Sequence, residues 1–147
     1  MFKHILIPTD GSGVASKAVR AGVSLAAEMG AKVTGFCAEE PRHLHLHVNG
    51  YKLEKELVVE LDRRSHEAAE RSVAEVASAA KAAGVTFEPL VVKSLSPYEA
   101  IIKAAQEKGC DAIFMASHGH RGFTGLLLGS VTQQVLTHSK IPVLVFR

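Results

Sequence analysis

Short apolar runs alternate along the chain with longer stretches whose apolar residues recur at helical spacing. His4–Pro8 (HILIP), Lys32–Ala38, Thr86–Val92, Ala112–Met115 and Pro142–Phe146 are too short for independent helices. Strands covered on both faces need not alternate apolar with polar, and these runs do not. From Ser12 to Met29, residues Ala18, Val19, Gly22, Leu25, Ala26 and Met29 form one helical stripe, and Gly30 supplies the stop. From about Lys52 to Ala83 the stripe is Leu53, Leu57, Leu61, Ala69, Val73, Val76 and Ala80, closed by Gly84. Ser96-Pro97-Tyr98-Glu99 predicts a helix start in which Ser96 caps, Pro97 fits the first turn and Glu99 completes a capping box. That helix runs to Lys108, with Tyr98, Ile101, Ile102 and Ala105 inward and Gly109 just past the end. Ser130 leads a last helix with Val131, Val135 and Leu136 on its stripe. Glu39–Gly50, which holds Pro41 and three alternating histidines, has no period and reads as a loop. Pro89 puts the third strand at a sheet edge or at an irregularity.

Strands alternating with helices predict an α/β fold: an open five-stranded parallel sheet with helices on both faces, Rossmann-like, as one domain over residues 1–147. Such sheets bind ligands at strand carboxyl ends, where the strand order reverses. Two of those ends carry specialised chemistry. Thr9-Asp10-Gly11-Ser12-Gly13 follows the first strand, and Gly119, Gly122, Gly125 and Gly129 follow the fourth. The loop glycines are expected to adopt positive φ and to bring main-chain N–H groups to a ligand with no Cβ in the way. Ser130 then stands at a helix mouth, where unpaired N–H groups and the helix dipole favour an anion. The stretch from Ala112 to Val131 therefore reads as a phosphate cradle.

Composition narrows the choice of ligand. The 147 residues are 47% hydrophobic and 22% charged, values of an ordinary globular domain. A net charge of +2 without a dense Lys/Arg block gives no nucleic-acid footprint. Cys37 and Cys110 lie in separate segments, which suits a reducing compartment rather than a disulfide framework. The amino-terminal residues show no secretory pattern and no apolar run approaches the length of a membrane span, so a cytoplasmic address and no membrane partner are expected.

Several nucleotide and enzyme motifs are absent. No lysine precedes the serine of the glycine loop, which excludes a Walker-type P-loop. Gly11-Ser12-Gly13-Val14-Ala15-Ser16 is a partial G-x-G-x-x-G, with Glu39 where a ribose-binding acid would sit, but Pro8-Thr9-Asp10 intervene and Ser16 holds the third position. There is no G-x-S-x-G to make Ser117 or Ser130 a nucleophile beside His118. The third strand ends in Lys93 and Ser94, where a phosphoacceptor aspartate would be needed. His43, His45 and His47 would face one side of an extended segment, a spacing that suits a transition metal, although nothing in the sequence completes such a site and no metal centre is assigned.

The chain resembles a single-domain universal stress protein of the ATP-binding subgroup over nearly its whole length. The family motif is Gly, two residues, Gly, nine residues, then Gly-Ser or Gly-Thr; here Ala116 holds the first position, followed by Gly119 and Gly129-Ser130. The opening Ile-Leu-Ile-Pro-Thr-Asp and closing Ile-Pro-Val-Leu-Val match as well. The resemblance implies an adenine-nucleotide alpha-hydrolase-like fold with strand order 3-2-1-4-5, and ATP or another adenine nucleotide with Mg²⁺ as cofactor. It implies that Pro8, Thr9, Asp10 and Cys37 frame the adenine end, Cys37 through its backbone. Met115 and Ala116 would flank the adenosine, and Gly119, Gly129, Ser130 and Val131 would meet the phosphates. His118, His120 and Arg121 sit in the loop and are expected to meet the outer phosphates, Arg121 being the best suited. It further implies a homodimer joined through the last strand, stress signalling toward unnamed client proteins, and at most slow hydrolysis or autophosphorylation. A reading of a different class, to which Ala116 points, is a nucleotide-independent interaction module with a degenerate loop.

Overall fold

The computed structural model describes residues 1–41, 55–119 and 128–147. Its elements are β1 (His4–Pro8), α1 (Gly13–Met29), β2 (Lys32–Glu39), α2 (Lys55–Ala82), β3 (Phe87–Lys93), α3 (Pro97–Glu107), β4 (Ala112–Ala116), α4 (Ser130–His138) and β5 (Val143–Phe146). All strands pair in parallel in the order β3-β2-β1-β4-β5, as the resemblance implies. The order reverses at β1, which pairs with β2 on one side and β4 on the other. Pro89 lies in edge strand β3, where a missing N–H costs no central ladder bond.

Side-chain alternation divides the core between the two faces. Ile5, Ile7, Val33, Ala112, Phe114 and Ala116 join α1 and α2 residues such as Val19, Val23, Val76 and Ala80. Leu6, Phe36, Ile113 and Met115 join Ile101, Ala104 and Ala105 of α3 and Val135 of α4. Ile5, Leu6, Ile7 and Ile113 have no exposed surface, so neighbours along one strand are buried on opposite faces. Burial of each such side chain contributes about 1.5–3 kcal/mol, which explains the unbroken apolar runs. Gly22 lets α1 approach the sheet, since a Cβ there would lie 2.8 Å from Phe114 and 2.9 Å from Ile7.

Three helices end by the same device. Gly30, Gly84 and Gly109 take left-handed φ of 63°, 68° and 66°. The following residues donate back across the last turn: Ala31 N–H to Ala26 C=O (2.8 Å), Val85 N–H to Ala80 C=O (2.9 Å) and Cys110 N–H to Ala105 C=O (2.8 Å). This satisfies carbonyls that would otherwise be orphaned and turns the chain straight into the next strand.

Two helix starts depart from expectation. Ser12 caps α1 from outside it, its hydroxyl accepting from Ala15 N–H at 3.2 Å. The expected Ser96–Glu99 capping box does not form: Ser96 has φ −123° and ψ 89°, and its side chain makes no cap hydrogen bond. Ser94 ties that turn instead, its hydroxyl accepting from Ser96 N–H and donating to Ser96 C=O, both at 3.1 Å. Glu99 accepts from the Tyr98 hydroxyl at 3.0 Å. The expected start of the long helix at Lys52 lies outside the described residues.

Candidate functional site

The turn after β1 is built from side chains that stand in for backbone acceptors. Thr9 N–H donates to Phe36 C=O at 2.8 Å as the β1–β2 register runs out at Pro8 and Phe36. The Thr9 hydroxyl then accepts from Gly11 N–H (3.2 Å), and Asp10 Oδ1 accepts from Ser12 N–H (2.9 Å). Thr9 and Ser12 are buried whereas Asp10 is exposed, so the turn presents a carboxylate at the carboxyl end of the sheet. Gly11 has φ 77°, and a Cβ there would lie 2.7 Å from Ser72 Oγ of α2. The turn is thus pinned under α2.

The segment after β4 folds onto that turn. At Gly119 a Cβ would overlap the Asp10 carboxylate. At Gly129 it would lie 3.2 Å from Ser117 C=O and 3.3 Å from His118 Cα, while Gly129 N–H donates to that same carbonyl at 2.7 Å. Neither glycine adopts positive φ, contrary to expectation; Gly129 has φ −69°. Both are needed for close approach, and the positive φ of the site belongs to Gly11. Gly122, Gly125, His120 and Arg121 lie outside the described residues.

Gly129 is also the N-cap of α4 and supplies no side-chain cap. The first intrahelical bond runs from Gln133 N–H to Gly129 C=O (3.0 Å), so the N–H groups of Ser130, Val131 and Thr132 precede it. Sequence reasoning missed Thr132, whose buried hydroxyl donates to Ala116 C=O at 2.9 Å and fixes the mouth of α4 against the end of β4. Its only sequence signal is a polar residue on an apolar stripe. Ser117 Oγ and His118 Nδ1 lie 3.0 Å apart beside this corner.

The fold therefore brings Asp10, Gly119, Gly129, Ser130 and Val131 to one cleft, with Pro8 and Thr9 at its base. Met115 and Ala116 end β4 and are 5% and 7% exposed. The Met115 side chain belongs to the α3–α4 core and the Ala116 methyl to the α1–α2 core, among Ile5 and Ile7. Their contribution to the cleft is main chain.

The main chain at Cys37 faces β3. Glu39 C=O accepts from Ser94 N–H beyond β3, and Phe36 C=O accepts from Thr9 N–H beyond β1. Main-chain direction alternates along a strand, so Cys37 turns its N–H and C=O toward β3, and Ala38 turns its own toward the side where β1 has ended. Ala38 leaves a backbone edge on the side where β1 has ended. The Cys37 thiol packs with Ala69 and Val73 of α2. Burial first, and then the Asp10 carboxylate, push it up to about 11 against a hydrogen bond from Ser72.

Glu39 does not serve as a ribose-binding acid. Its carboxylate is 2% exposed and accepts from His66 Nδ1 of α2 at 2.8 Å, with Lys93 Nζ at 4.0 Å. The expected His43, His45 and His47 face lies outside the described residues, among which no group of three His, Cys, Asp or Glu is placed to hold a metal. No described helix is long and apolar enough to cross a membrane. A groove of about 380 Å³ at the opposite end of the sheet is lined by small residues with Lys3 and Lys32, apart from this chemistry.

The sequence model of the universal stress protein family matches residues 1–147. The chain belongs to that family. A universal stress protein of Methanocaldococcus jannaschii is 33% identical over 156 residues, covering all of this chain and 96% of the relative. That relative's solved structure superposes with a TM-score of 0.81 at 29% identity, over 99% of this chain and 95% of the other. A universal stress protein from Thermus aquaticus is 34% identical over 147 residues, the whole of both chains. A universal stress protein solved in complex with cAMP superposes with a TM-score of 0.70 at 26% identity, over 99% of this chain and 97% of the other.

Proposed function

We propose that the chain binds an adenine nucleotide, ATP with Mg²⁺, in the cleft between the turn after β1 and the mouth of α4. The observation that carries this reading is the corner where Gly119 meets Asp10 and Gly129 meets Ser117, beside a helix N-terminus without a side-chain cap. Missing Cβ atoms there let the turn after β1 and the segment after β4 close against the mouth of α4, whose first N–H groups, at Ser130, Val131 and Thr132, precede the first intrahelical bond and can meet phosphate oxygens. A hydrogen bond to a charged group contributes about 1.5–3 kcal/mol, so three or four offset much of the cost of fixing a flexible triphosphate. The Ser130 hydroxyl adds a further donor. A carboxylate beside phosphates repels them unless a cation intervenes, which makes Asp10 the residue to share Mg²⁺ with the phosphates. The backbone edge of Ala38, beyond the end of β1, is the place for the base to be read. The cAMP complex of a relative supports adenine as that base.

The reading assigns binding and regulation rather than efficient turnover. Ser117, paired with His118, is 3% exposed and closed to an incoming group. The module works as a cytoplasmic homodimer paired through β5, with occupancy of the cleft as its stress signal. Native mass spectrometry of freshly purified protein and calorimetry with ATP and Mg²⁺ test the core of this: one nucleotide per chain is expected. A protein that takes up neither ATP nor any other adenine nucleotide would be an interaction module with a vestigial loop.

A further inference from the structure

Helix α2 touches the candidate cleft at two places. Ser72 underlies Gly11 in the turn after β1. Six residues earlier, His66 holds Glu39, the residue next to Ala38, with its Nδ1 2.8 Å from Glu39 Oε2. The two partners differ sharply in environment, since the Glu39 side chain is 2% exposed and that of His66 50% exposed. The imidazole also lies 3.3 Å from Glu70 Oε1 through Nε2. The charged residues of the neighbouring segments are Asp62 and Arg63 one turn earlier on α2, Glu40 next to Glu39 in the chain, Lys93 beside Glu39, and Asp10, which acts on Cys37. Arg63 is engaged by Glu60 and Glu67. Lys93 Nζ is 4.0 Å from Glu39 and 63% exposed.

We propose that His66 is a proton-sensitive positioning residue for the cleft: its protonated ring clamps α2 onto the buried Glu39 carboxylate and so holds the Ala38 backbone edge in the position that reads the base. A charge buried away from water needs a close, well-directed partner. When His66 is neutral, the cation that remains beside Glu39 among the described residues is Lys93, longer in reach and solvated. The end of β2 then gains by loosening toward water, and Ala38 moves with it. The hydrogen bond to Glu39, with Glu70 assisting against partial desolvation, holds the His66 pKa above its ordinary 6.5. A raised folded-state pKa means that the clamp is fully present at acid pH and is lost as pH rises through that value. By linkage, a nucleotide that binds better to the clamped form raises the His66 pKa in turn.

This inference rests on the nucleotide reading, and its test separates the two. His66 is titrated by NMR in the full chain with and without saturating ATP and Mg²⁺, and ATP affinity is measured by calorimetry from pH 5.5 to 9 for the wild type and for His66→Gln. The ratio of the two affinities cancels the titration of the nucleotide itself. That ratio is expected to favour the wild type by at least about fivefold at the acid end, the lower limit of an ordinary coupling between sites, and to fall toward one at the alkaline end. In the absence of nucleotide, Glu39→Gln should return the His66 pKa to its ordinary value, whereas Glu70→Gln should move it less. A ratio that stays constant with pH, or a His66 pKa indifferent to Glu39→Gln or to bound ATP, overturns the clamp while leaving the nucleotide reading intact. Failure of the wild type to bind ATP at every pH overturns both.

Discussion

The carboxylate of Asp10 fills the space that a side chain on Gly119 would need, so the turn after β1 and the segment after β4 meet through one absent methyl group. Gly119→Ala must push Asp10 away from its hydrogen bond with Ser12 N–H. Overpacking of this kind costs about 1–3 kcal/mol, here reduced because a carboxylate can rotate. We expect ATP affinity to drop at least about tenfold, equivalent to about 1.4 kcal/mol, with a smaller loss of unfolding free energy. Calorimetry and urea denaturation measure the two; unchanged affinity would place this contact outside the site.

Gly129 has less freedom, because its neighbours are the backbone of Ser117 and His118 rather than a movable side chain. Gly129→Ala should weaken ATP binding, and Gly129→Val should abolish it while the chain still folds, as judged by circular dichroism. Equal affinity in Gly129→Val would remove the phosphate assignment.

At β5, Ile113 N–H donates to Pro142 C=O and Ser117 N–H donates to Phe146 C=O. Alternation then turns the main-chain groups of Val143 and Val145 outward, along an open edge. Val145→Pro deletes an outward N–H and leaves the bonds to β4, so it should convert the proposed homodimer to a monomer in light scattering. A wild-type monomer at micromolar concentration, or a dimer that survives the proline, would refute pairing through β5.

His4 is 4% exposed and its Nε2 lies 2.7 Å from the buried Thr34 hydroxyl. Burial first, and then Lys32, hold its pKa below 6.5, against Glu88, Asp111 and the Lys108 carbonyl. The folded state therefore binds this proton less readily than the unfolded chain. Its contribution to stability is complete above about 6.5 and is lost as pH falls toward the lowered value, with a ceiling of about 1.4 kcal/mol per pH unit. Urea melts at pH 7 and pH 5 should show a larger loss for the wild type than for His4→Gln. Equal losses would show that His4 does not drive acid sensitivity.

Burial also raises the Cys37 and Cys110 thiols to about 11. At pH 8 each then has a thiolate fraction roughly a hundredfold below that of a free cysteine. Iodoacetamide should label neither in the native protein and both in urea; rapid native labelling of Cys37 would contradict its packing against α2.

The runs of β1, β2 and β4 were legible because those strands are buried on both faces, those of β3 and β5 because edge strands still half-bury apolar side chains, and Pro89 disclosed the sheet edge. Asp10, Gly119, Gly129 and Ser130 were legible as a cluster of small and polar residues between a buried strand and a helix. Their reasons were not, because glycine serves both positive φ and close approach, and only the neighbouring atoms distinguish the two. The main-chain directions of Cys37 and Ala38 were not legible, because they depend on strand register, which a single sequence does not contain. Ser94 displaced Ser96 because two nearby hydroxyls compete for the same turn. Glu39 and His66 are 27 residues apart, and their pairing arises from the crossover between them.

The glycine turns at Gly30, Gly84 and Gly109 all lie at one end of the sheet, and they divide the molecule into a part closed to change in chain length and a part open to it. Between α1 and β2 there is room only for residues 30–31, both committed to the cap. The longer connections, 40–54 and 117–129, both begin at the opposite end, where β2 and β4 stop. Sequence inserted beyond the ends of β2 and β4 therefore leaves the strand ladders as they are.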